Sequence, residues 1–450
     1  MKRFSAVRVV LVWGLAATLA GGAAGARAEK TKKAEKKATD ASVEAMATPE
    51  SVGFSSAGLE RLHTLIQGEI DQKELAGAVT ILARHGKIVD YRAYGVKDVA
   101  TGAPMTKDTI FRDYSMTKPT TGAAMMILYE EGKWLPQDPI AKYVPELKDL
   151  KVFAGVDKDG KMILVDPDHA PTMRELMSHT AGFSYGMGKS VVAAMYQQEY
   201  VMQSANLQAF IDKLAKIPLN YQPGKAWMYS ASMDVEGYIV EKLSGETLPD
   251  FDRQHIFAPL GMKDAGFFVP ADKRARFATN YRANEQEQLI PVQAAGGAPA
   301  DFATEPTMPS GGGGLVSTAM DYYRFAQMLA NGGTLDGQRI LAPATVRLMT
   351  TNKLPASLLT GEWGIGEHVM RPGFGYGFNC AVVFDPPEAA LPDGRGTFFW
   401  DGAAGTWFWV DPTNDVVFVA MIQRMGGHDN HELEYKSHAA VYGALVDPAE

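Results

Sequence analysis

The sequence contains almost no cysteine, since Cys380 is the only one among 450 residues. A single thiol cannot form an internal disulfide, so the fold must depend on the burial of a hydrophobic core. Cys380 lies in an apolar run, and we expect it to be a buried, unreactive thiol. The chain is long enough to build a large core or two lobes.

An excess of positive charge is also absent. The chain has 44 lysines and arginines against 52 acidic residues, and its formal net charge of −8 argues against a nucleic-acid-binding protein. The nine histidines show no spacing typical of metal ligands. His428 and His431 are three positions apart, but no third ligand is evident, and we expect both to be exposed to solvent. The sequence therefore predicts neither a metal nor a cofactor.

The apolar run near the N-terminus, residues 9–20, is too short to span a bilayer comfortably. It follows a basic start and precedes Ala26-Arg27-Ala28, a small-x-small pattern typical of a cleavage site. We predict a signal peptide over residues 1–28, and a periplasmic or secreted protein with no stable membrane insertion after cleavage. Residues 29–50 are rich in Lys, Ala and Glu, which is typical of a flexible linker.

The rest of the chain is divided by two kinds of hydrophobic pattern, one typical of helices and one of strands. The predicted helices are 55–72, 115–132, 173–178, 207–215, 233–243, 319–330 and 432–445, and the predicted strands are 76–84, 87–94, 376–384, 397–400, 406–410 and 416–423. We expect an α+β fold, in which an antiparallel sheet from both ends of the chain packs against the terminal helices. Residues 51–105 and 346–450 would form this sandwich lobe, residues 106–345 a mainly helical lobe, and the cleft between them the active site.

What the sequence does contain is Ser115-Met116-Thr117-Lys118, at the start of a predicted helix. Residues three apart lie on one face of a helix, so the lysine amine can reach the serine hydroxyl. A serine hydroxyl is a poor nucleophile until a nearby base takes its proton. A lysine whose charge is disfavoured by burial can help to do this. Ser115 is the only serine in the chain with a lysine three positions later.

Acyl transfer by such a pair also needs a group that relays protons. Tyr229 lies just before the predicted helix 233–243. We expect the ammonium of Lys118 to lower the pKa of the Tyr229 phenol, so that Tyr229 deprotonates Ser115 and later the attacking water. Taken alone, Tyr229 is better explained as a tyrosine packed under a loop.

The tetrahedral oxyanion needs hydrogen-bond donors, and we place them at the strand end formed by Trp400, Asp401, Gly402 and Ala403. A strand that ends in glycine lets a backbone N–H approach the substrate closely. The N–H of Ala403 would pair with that of Ser115 at its helix start. Trp400 taken alone fits a core residue.

In this order, Ser115-x-x-Lys118, Tyr229 and Trp400-x-Gly402 resemble the serine beta-lactamase superfamily, most closely class C beta-lactamases and family VIII carboxylesterases. The segments 111–119, 177–183, 259–262 and 313–318 are also similar to segments of that superfamily, and the match covers roughly residues 50–445. The resemblance implies a beta-lactamase/transpeptidase-like fold and an acyl-Ser115 intermediate. Lys118 and Tyr229 would then share the proton transfers, with coupled titrations.

Two departures from the superfamily pattern bear on the substrate. The motif that begins at Tyr229 usually ends in asparagine, but Ala231 stands there, and no Lys-Ser/Thr-Gly occurs in the chain. The missing lysine would have bound a carboxylate of a beta-lactam or peptide, whereas Trp400 offers apolar surface. We therefore expect an exported serine hydrolase acting on small carboxylic esters. A beta-lactamase, a D-amino peptidase or transpeptidase, and an acyltransferase are the alternatives. A catalytically silent binding or sensor domain of the same fold is a further alternative, although the intact Ser115, Lys118 and Tyr229 weigh against it. The oligomeric state is not predicted.

Residues 182–186 fit Gly-x-Ser-x-Gly, the nucleophile elbow of α/β-hydrolases, with Ser184 as the serine. That motif needs a strand before it and a helix after it, but a helix is predicted before it. We therefore expect a structural role for Ser184 and a buried, loop-anchoring role for His179. Residues 311–314, all glycine, lack the Gly-Lys-Ser/Thr of a phosphate loop and are expected to form a tight wall of the cleft.

Overall fold

The computed structural model describes residues 46–292, 302–359, 370–426 and 428–449. The predicted signal peptide and most of the predicted linker fall on residues 1–45 and lie outside the described residues. Backbone packing begins before the predicted end of the linker, because the N–H of Ala47 donates to the C=O of Ile88 at 2.8 Å. In the described part of the chain, no helix has both the length and the apolar character needed to cross a membrane.

Helices and strands are interspersed along the chain. The α-helices are α1 Ser56–Asp71, α2 Thr117–Glu130, α3 Met173–Met177, α4 Val191–Gln198, α5 Leu207–Leu214, α6 Ser232–Ser244, α7 Leu248–Asp252, α8 Ala258–Leu260, α9 Ala319–Ala330, α10 Pro343–Met349, α11 Pro386–Ala389 and α12 His428–Tyr442. The strands are β1 Gly77–Arg84, β2 Lys87–Asp98, β3 Ala103–Pro104, β4 Ile110–Arg112, β5 Val152–Val156, β6 Met162–Val165, β7 Tyr281–Ala283, β8 Leu289–Pro291, β9 Val316–Thr318, β10 Thr334–Leu335, β11 Gln338–Arg339, β12 Phe374–Tyr376, β13 Ala381–Val383, β14 Thr397–Asp401, β15 Trp407–Asp411, β16 Val416–Met421 and β17 Arg424–Met425. Short 3₁₀ turns and one π-helical turn, Arg253–Phe257, connect some of them.

The main sheet has eight strands in the order β12-β13-β14-β15-β16-β1-β2-β3. Every neighbouring pair is antiparallel. Its strands come from residues 77–104 and 374–421, so the two ends of the chain meet where β16 pairs with β1. The predicted antiparallel sheet from both ends of the chain is confirmed.

Helices cover both faces of this sheet. Successive side chains of a strand point to opposite faces, and β15 shows the consequence. Trp409 stacks on His438 of α12 with ring centroids 3.7 Å apart, whereas its neighbour Phe408 contacts Tyr322 of α9 at 5.0 Å. All residues of β14, β15 and β16 are buried, which explains why these strands read as continuous apolar runs.

Local sequence signals account for several element ends. Ser55 caps α1 by accepting a hydrogen bond from a backbone N–H in its first turn. His85 and Gly86 both have positive φ, 52° and 67°, as a two-residue hairpin between β1 and β2 requires. Thr318 and Asp321 form a capping box at the start of α9, as their spacing predicts.

The prediction of one strand over residues 376–384 is wrong. The chain turns back at Asn379, whose φ is 63°, so that β12 and β13 pair as a hairpin. Apolar residues on both sides of the turn hid it from a pattern based on hydrophobicity. Cys380, beside that turn, is buried, as expected. Burial raises the pKa of its thiol to about 12, which agrees with an unreactive thiol. Helix α4 and the β5–β6 hairpin were not predicted.

Candidate active site

Ser115 lies in a 3₁₀ turn, Tyr114–Met116, that leads directly into α2. The residue before it, Tyr114, has a φ of 44°, a left-handed conformation that is strained for a bulky side chain. The Tyr114 side chain is held in place, since its hydroxyl accepts a hydrogen bond from Asn280 Nδ2 at 3.0 Å and its ring packs against Phe302. The turn therefore presents Ser115 in a fixed orientation at the start of the helix.

Lys118 lies one helical turn after Ser115 and is fully buried. Its Nζ donates to Ser115 Oγ at 3.0 Å and to the carbonyl oxygen of Gly312 at 2.6 Å. Burial lowers the pKa of Lys118 to about 7, although the negative charge of Asp234 acts in the opposite direction. Near neutral pH a large fraction of this amine is uncharged, so it can accept a proton from Ser115.

Tyr229 completes the group around the serine hydroxyl. Its OH lies 2.6 Å from Ser115 Oγ, and Lys118 Nζ lies 4.5 Å from the centre of its ring. Burial raises the pKa of Tyr229 well above its usual value, and the hydrogen bond between Tyr229 and Ser115 offsets only part of the effect. The expectation that Lys118 would lower this pKa is therefore wrong. The cost of removing a phenolate from water is the largest effect on this pKa, and the negative charge of Asp401 raises it further.

Aromatic rings hold Tyr229 in place. Tyr185 stacks on it with centroids 5.4 Å apart and an interplanar angle of 7°, and His179 and Trp400 lie at 5.0 and 5.8 Å. His179 is buried, and its Nδ1 lies within hydrogen-bond distance of Ser230 Oγ, at 2.9 Å. Burial lowers the pKa of His179, so its imidazole is neutral. The predicted loop-anchoring role of His179 is confirmed.

Ser184 has the structural role predicted for it. Its side chain is buried, and its Oγ accepts a hydrogen bond from the N–H of Gly186 at 3.1 Å. No strand precedes it, because α3 lies before this loop. The loop nevertheless reaches the site through its next residue, Tyr185, a contact that the sequence pattern did not indicate.

The end of β14 lies against the turn that carries Ser115. A Cβ added at Gly402 would lie 2.3 Å from the carbonyl oxygen of Asp113 and 2.3 Å from Thr406 Oγ1, so only glycine fits. The N–H of Gly402 donates to the carbonyl oxygen of Thr406 at 2.7 Å. The N–H of Gly402 is therefore already paired, whereas Ala403 lines the cavity beside Ser115. The predicted pairing of the Ala403 and Ser115 N–H groups at the oxyanion stays a prediction.

Two cavities meet at Ser115, Tyr229 and Ala403. The first, which we call the small subsite, has a volume of about 170 Å³. Its lining includes Trp400, Asp401, Trp407, Asn430, His431 and Glu434. The second, which we call the large subsite, has a volume of about 560 Å³. Its lining is rich in methionine and phenylalanine and includes Met187, Met202, Phe267, Phe302, Met308 and Met425.

The glycine run 311–314 forms the tight wall expected of it. A Cβ at Gly311 would lie 2.3 Å from the carbonyl oxygen of Met233. Close approach of this backbone brings the carbonyl oxygen of Gly312 to Lys118. Asp234, which the sequence pattern did not indicate, fixes the same wall by accepting a hydrogen bond from Ser310 Oγ at 2.5 Å.

A second group that the sequence pattern missed lies in the small subsite. One ligand-type atom each from Asp401, His431 and Glu434 lies within 4.8 Å of the others, and this is the one such group found in the described part of the chain. His431 Nδ1 is 3.5 Å from Asp401 Oδ2. The His431 side chain is 37% exposed, as expected, but it also lies against the end of β14, a contact that the sequence did not predict. The side chain of His428 lies outside the described residues.

A profile of the Beta-lactamase family matches residues 62–442. The chain belongs to the beta-lactamase family. Relatives include Protein Rv1367c of Mycobacterium tuberculosis, which is 39% identical over 357 residues, covering 78% of this chain and 86% of that protein. Esterase EstB of Burkholderia gladioli is 32% identical over 380 residues, covering 80% of this chain and 89% of that protein.

Among solved structures, "EstCE1, a hydrolase with promiscuous acyltransferase activity" superposes with a TM-score of 0.71. It is 28% identical, and the match covers 86% of this chain and 99% of that one. These comparisons confirm the predicted beta-lactamase/transpeptidase-like α+β fold. They also confirm that this beta-lactamase-family protein is a serine hydrolase related to esterases.

Gly402→Ala tests whether this beta-lactamase-family site requires the close contact between the end of β14 and the turn that carries Ser115. The new Cβ must displace either the Ser115 turn or the Ala403 backbone, so we expect kcat on an ester to fall about 10²-fold or more while the fold is kept. Activity and circular dichroism measure the two effects. Gly68→Ala in α1, where the nearest atom would be 3.8 Å away, is the matched control. Equal loss in both variants would contradict the assignment.

Proposed function

We propose that this chain is an exported serine hydrolase that cleaves small carboxylic esters through an acyl-Ser115 intermediate. The observation that carries the proposal is the contact of one serine hydroxyl with both a buried amine and a phenol. Lys118 Nζ lies 3.0 Å and Tyr229 OH 2.6 Å from Ser115 Oγ. The similarity to the esterase EstB supports an ester as the substrate.

In the first half-reaction, neutral Lys118 takes the proton of Ser115 as Oγ bonds to the ester carbonyl carbon. The carbonyl oxygen becomes an oxyanion that the N–H groups of Ser115 and Ala403 stabilise. As the C–O bond to the alcohol breaks, Tyr229 gives its proton to the leaving alkoxide and is reprotonated by the ammonium of Lys118. The alcohol departs, and the acyl group stays on Ser115.

In the second half-reaction, water attacks the acyl carbonyl carbon and its proton passes through the Tyr229 hydroxyl to Lys118. The C–O bond to Ser115 then breaks, and Ser115 regains its proton from Lys118. Because burial raises the pKa of Tyr229, the phenol relays protons in its neutral form rather than acting as a phenolate base. This revises the sharing of proton transfers expected from the sequence.

The lining of the site favours esters over lactams. Ala231, which stands where the superfamily usually has asparagine, is buried, and it offers no side-chain hydrogen bond to a substrate amide. Trp400 stands where a lysine would bind a carboxylate. The methionine- and phenylalanine-rich large subsite suits an apolar half of the ester.

Ser115→Ala is the direct test of the nucleophile. Hydrolysis of p-nitrophenyl acetate should fall about 10³-fold or more, because the hydroxyl that contacts both Lys118 Nζ and Tyr229 OH is removed. Ser184→Ala, at the serine of the competing motif, should keep its activity within about threefold. Loss in Ser184→Ala with retention in Ser115→Ala would reject the proposal.

The pH profile tests Lys118 as the base. With a pKa of about 7, Lys118 loses its proton as the pH rises, so kcat/KM should rise with pH and reach half of its plateau near pH 7. Asp234→Asn removes a charge that raises this pKa, so the rise should move to lower pH. Glu241→Gln on the same helix is the control, since its side chain accepts a hydrogen bond from the N–H of Leu248, as glutamine can. An upward shift, or none, would contradict the role of Lys118.

Export is the part of the proposal that rests on the sequence alone. Cleavage after Ala28 would make Glu29 the first residue of the mature protein. N-terminal sequencing of protein recovered from the periplasm or medium of an expressing bacterium should begin at Glu29. Retention of the intact N-terminus in the cytoplasm would remove export from the proposed function.

A further inference from the structure

The small subsite is lined by acidic groups on two elements. Asp401 ends β14, whereas His431 and Glu434 lie three positions apart on α12 and so share one face of that helix. The three side chains cluster within 4.8 Å and line the same cavity as Ser115. A group bound among them would belong to a molecule that also reaches the nucleophile.

Asn430 adds an independent observation. Asn430 is 7% exposed and lines the small subsite. Its Nδ2 donates to the carbonyl oxygen of Arg424 at 2.7 Å, which sets the orientation of the amide. Its Oδ1 is buried and accepts from no group in the described part of the chain. A buried acceptor without a donor is costly, so this oxygen marks a place for a hydrogen-bond donor.

The electrostatics of the small subsite favour a donor that carries positive charge. Burial raises the pKa of Glu434 well above its usual value, and the nearby charge of Asp401 raises it further. The positive charge of Arg371 offsets part of this effect. A cation placed between the two carboxyl groups would relieve their repulsion. The indole rings of Trp400 and Trp407 line the same cavity, and aromatic rings also favour cations.

We propose that the small subsite binds a primary ammonium group of the ester substrate, with Asp401, Glu434 and Asn430 Oδ1 as hydrogen-bond acceptors. The inference rests on the proposed function, because the subsite opens beside the nucleophile. A primary ammonium has three N–H donors, which matches these three acceptors in number. Superfamily members with a lysine on the corresponding strand would bind an anionic group there. The small subsite of this chain would instead bind a group of positive charge.

The test compares three inhibitors of equal chain length. We expect n-butylammonium to inhibit p-nitrophenyl acetate hydrolysis competitively near pH 7, with an inhibition constant roughly 10- to 100-fold below that of 1-butanol. Butanoate should inhibit least. The inhibition constants of 1-butanol and n-butylammonium are compared as a ratio within each variant, so a general loss of activity does not change that ratio. Asp401→Asn and Glu434→Gln should each reduce this ratio to about threefold or less.

Glu432→Gln is the matched control, because Glu432 is an exposed residue of the same helix that pairs with Lys436. It should keep the wild-type ratio. Equal inhibition by butylammonium and 1-butanol, or stronger inhibition by butanoate, would overturn the inference. One tightly bound divalent metal per purified chain, measured by elemental analysis, would also overturn it and assign the cluster to a metal.

The failure of this inference can be told apart from failure of the proposed function. If the wild-type protein hydrolyses no ester, the proposed function is wrong. Calorimetric titration with butylammonium, 1-butanol and butanoate then tests the small subsite directly, in the wild type and the same three variants. Saturable binding of butylammonium alone, lost in Asp401→Asn and Glu434→Gln, supports the subsite, and any other order of affinities overturns it.

Discussion

The burial of one lysine amine governs the construction of this site. Removing an ammonium from water is costly, and a fully buried lysine lowers that cost by losing its proton. Lys118 is held between Ser115 Oγ and the carbonyl oxygen of Gly312, with the acidic Asp234 nearby. The balance leaves its pKa at about 7, where the amine can both take up and release a proton at neutral pH.

Several close backbone contacts and one strained backbone conformation position the groups around this amine. The backbone at Gly311, Gly312 and Gly314 approaches its neighbours so closely that a Cβ would not fit without a shift. The hydroxyl of Thr121 on α2 secures this segment by donating to the carbonyl oxygen of Gly311. The left-handed Tyr114 turns the chain so that Ser115 faces Lys118. Gly402 lets β14, held between two neighbouring strands, touch the same turn. Rigid elements thus support a site whose parts lie far apart in the sequence.

The sequence was informative where chemistry and local geometry coincide. Ser115 and Lys118 share one helical turn, so their contact could be predicted from the sequence. The aromatic and β-branched runs of β14 to β16 likewise predict buried strands. The pKa of Tyr229 could not, because it depends on burial by Tyr185, His179 and Trp400, which come from separate parts of the chain. Burial is a property of the tertiary structure, and it reversed an argument based on one neighbouring charge.

The acidic lining of the small subsite was missed for a similar reason. Asp401 and Glu434 each look like an ordinary polar residue in the sequence, and they acquire a joint meaning only because α12 begins over the end of β14. The hairpin of β12 and β13 was missed because Asn379 interrupts a run that hydrophobicity alone describes as continuous. Contacts between distant segments decide such features, and no short pattern encodes them.

The meeting of two cavities at a single hydroxyl has a consequence for the order of events. In a two-stage reaction the departing alcohol empties one cavity while the acyl chain still fills the other. The incoming nucleophile must then enter by the emptied cavity, since the two cavities meet at the same residues, Ser115, Tyr229 and Ala403. The size and polarity of that cavity therefore set how well an alcohol or amine competes with water for the acyl group. A change in its lining would alter the partition between hydrolysis and transfer without touching the nucleophile.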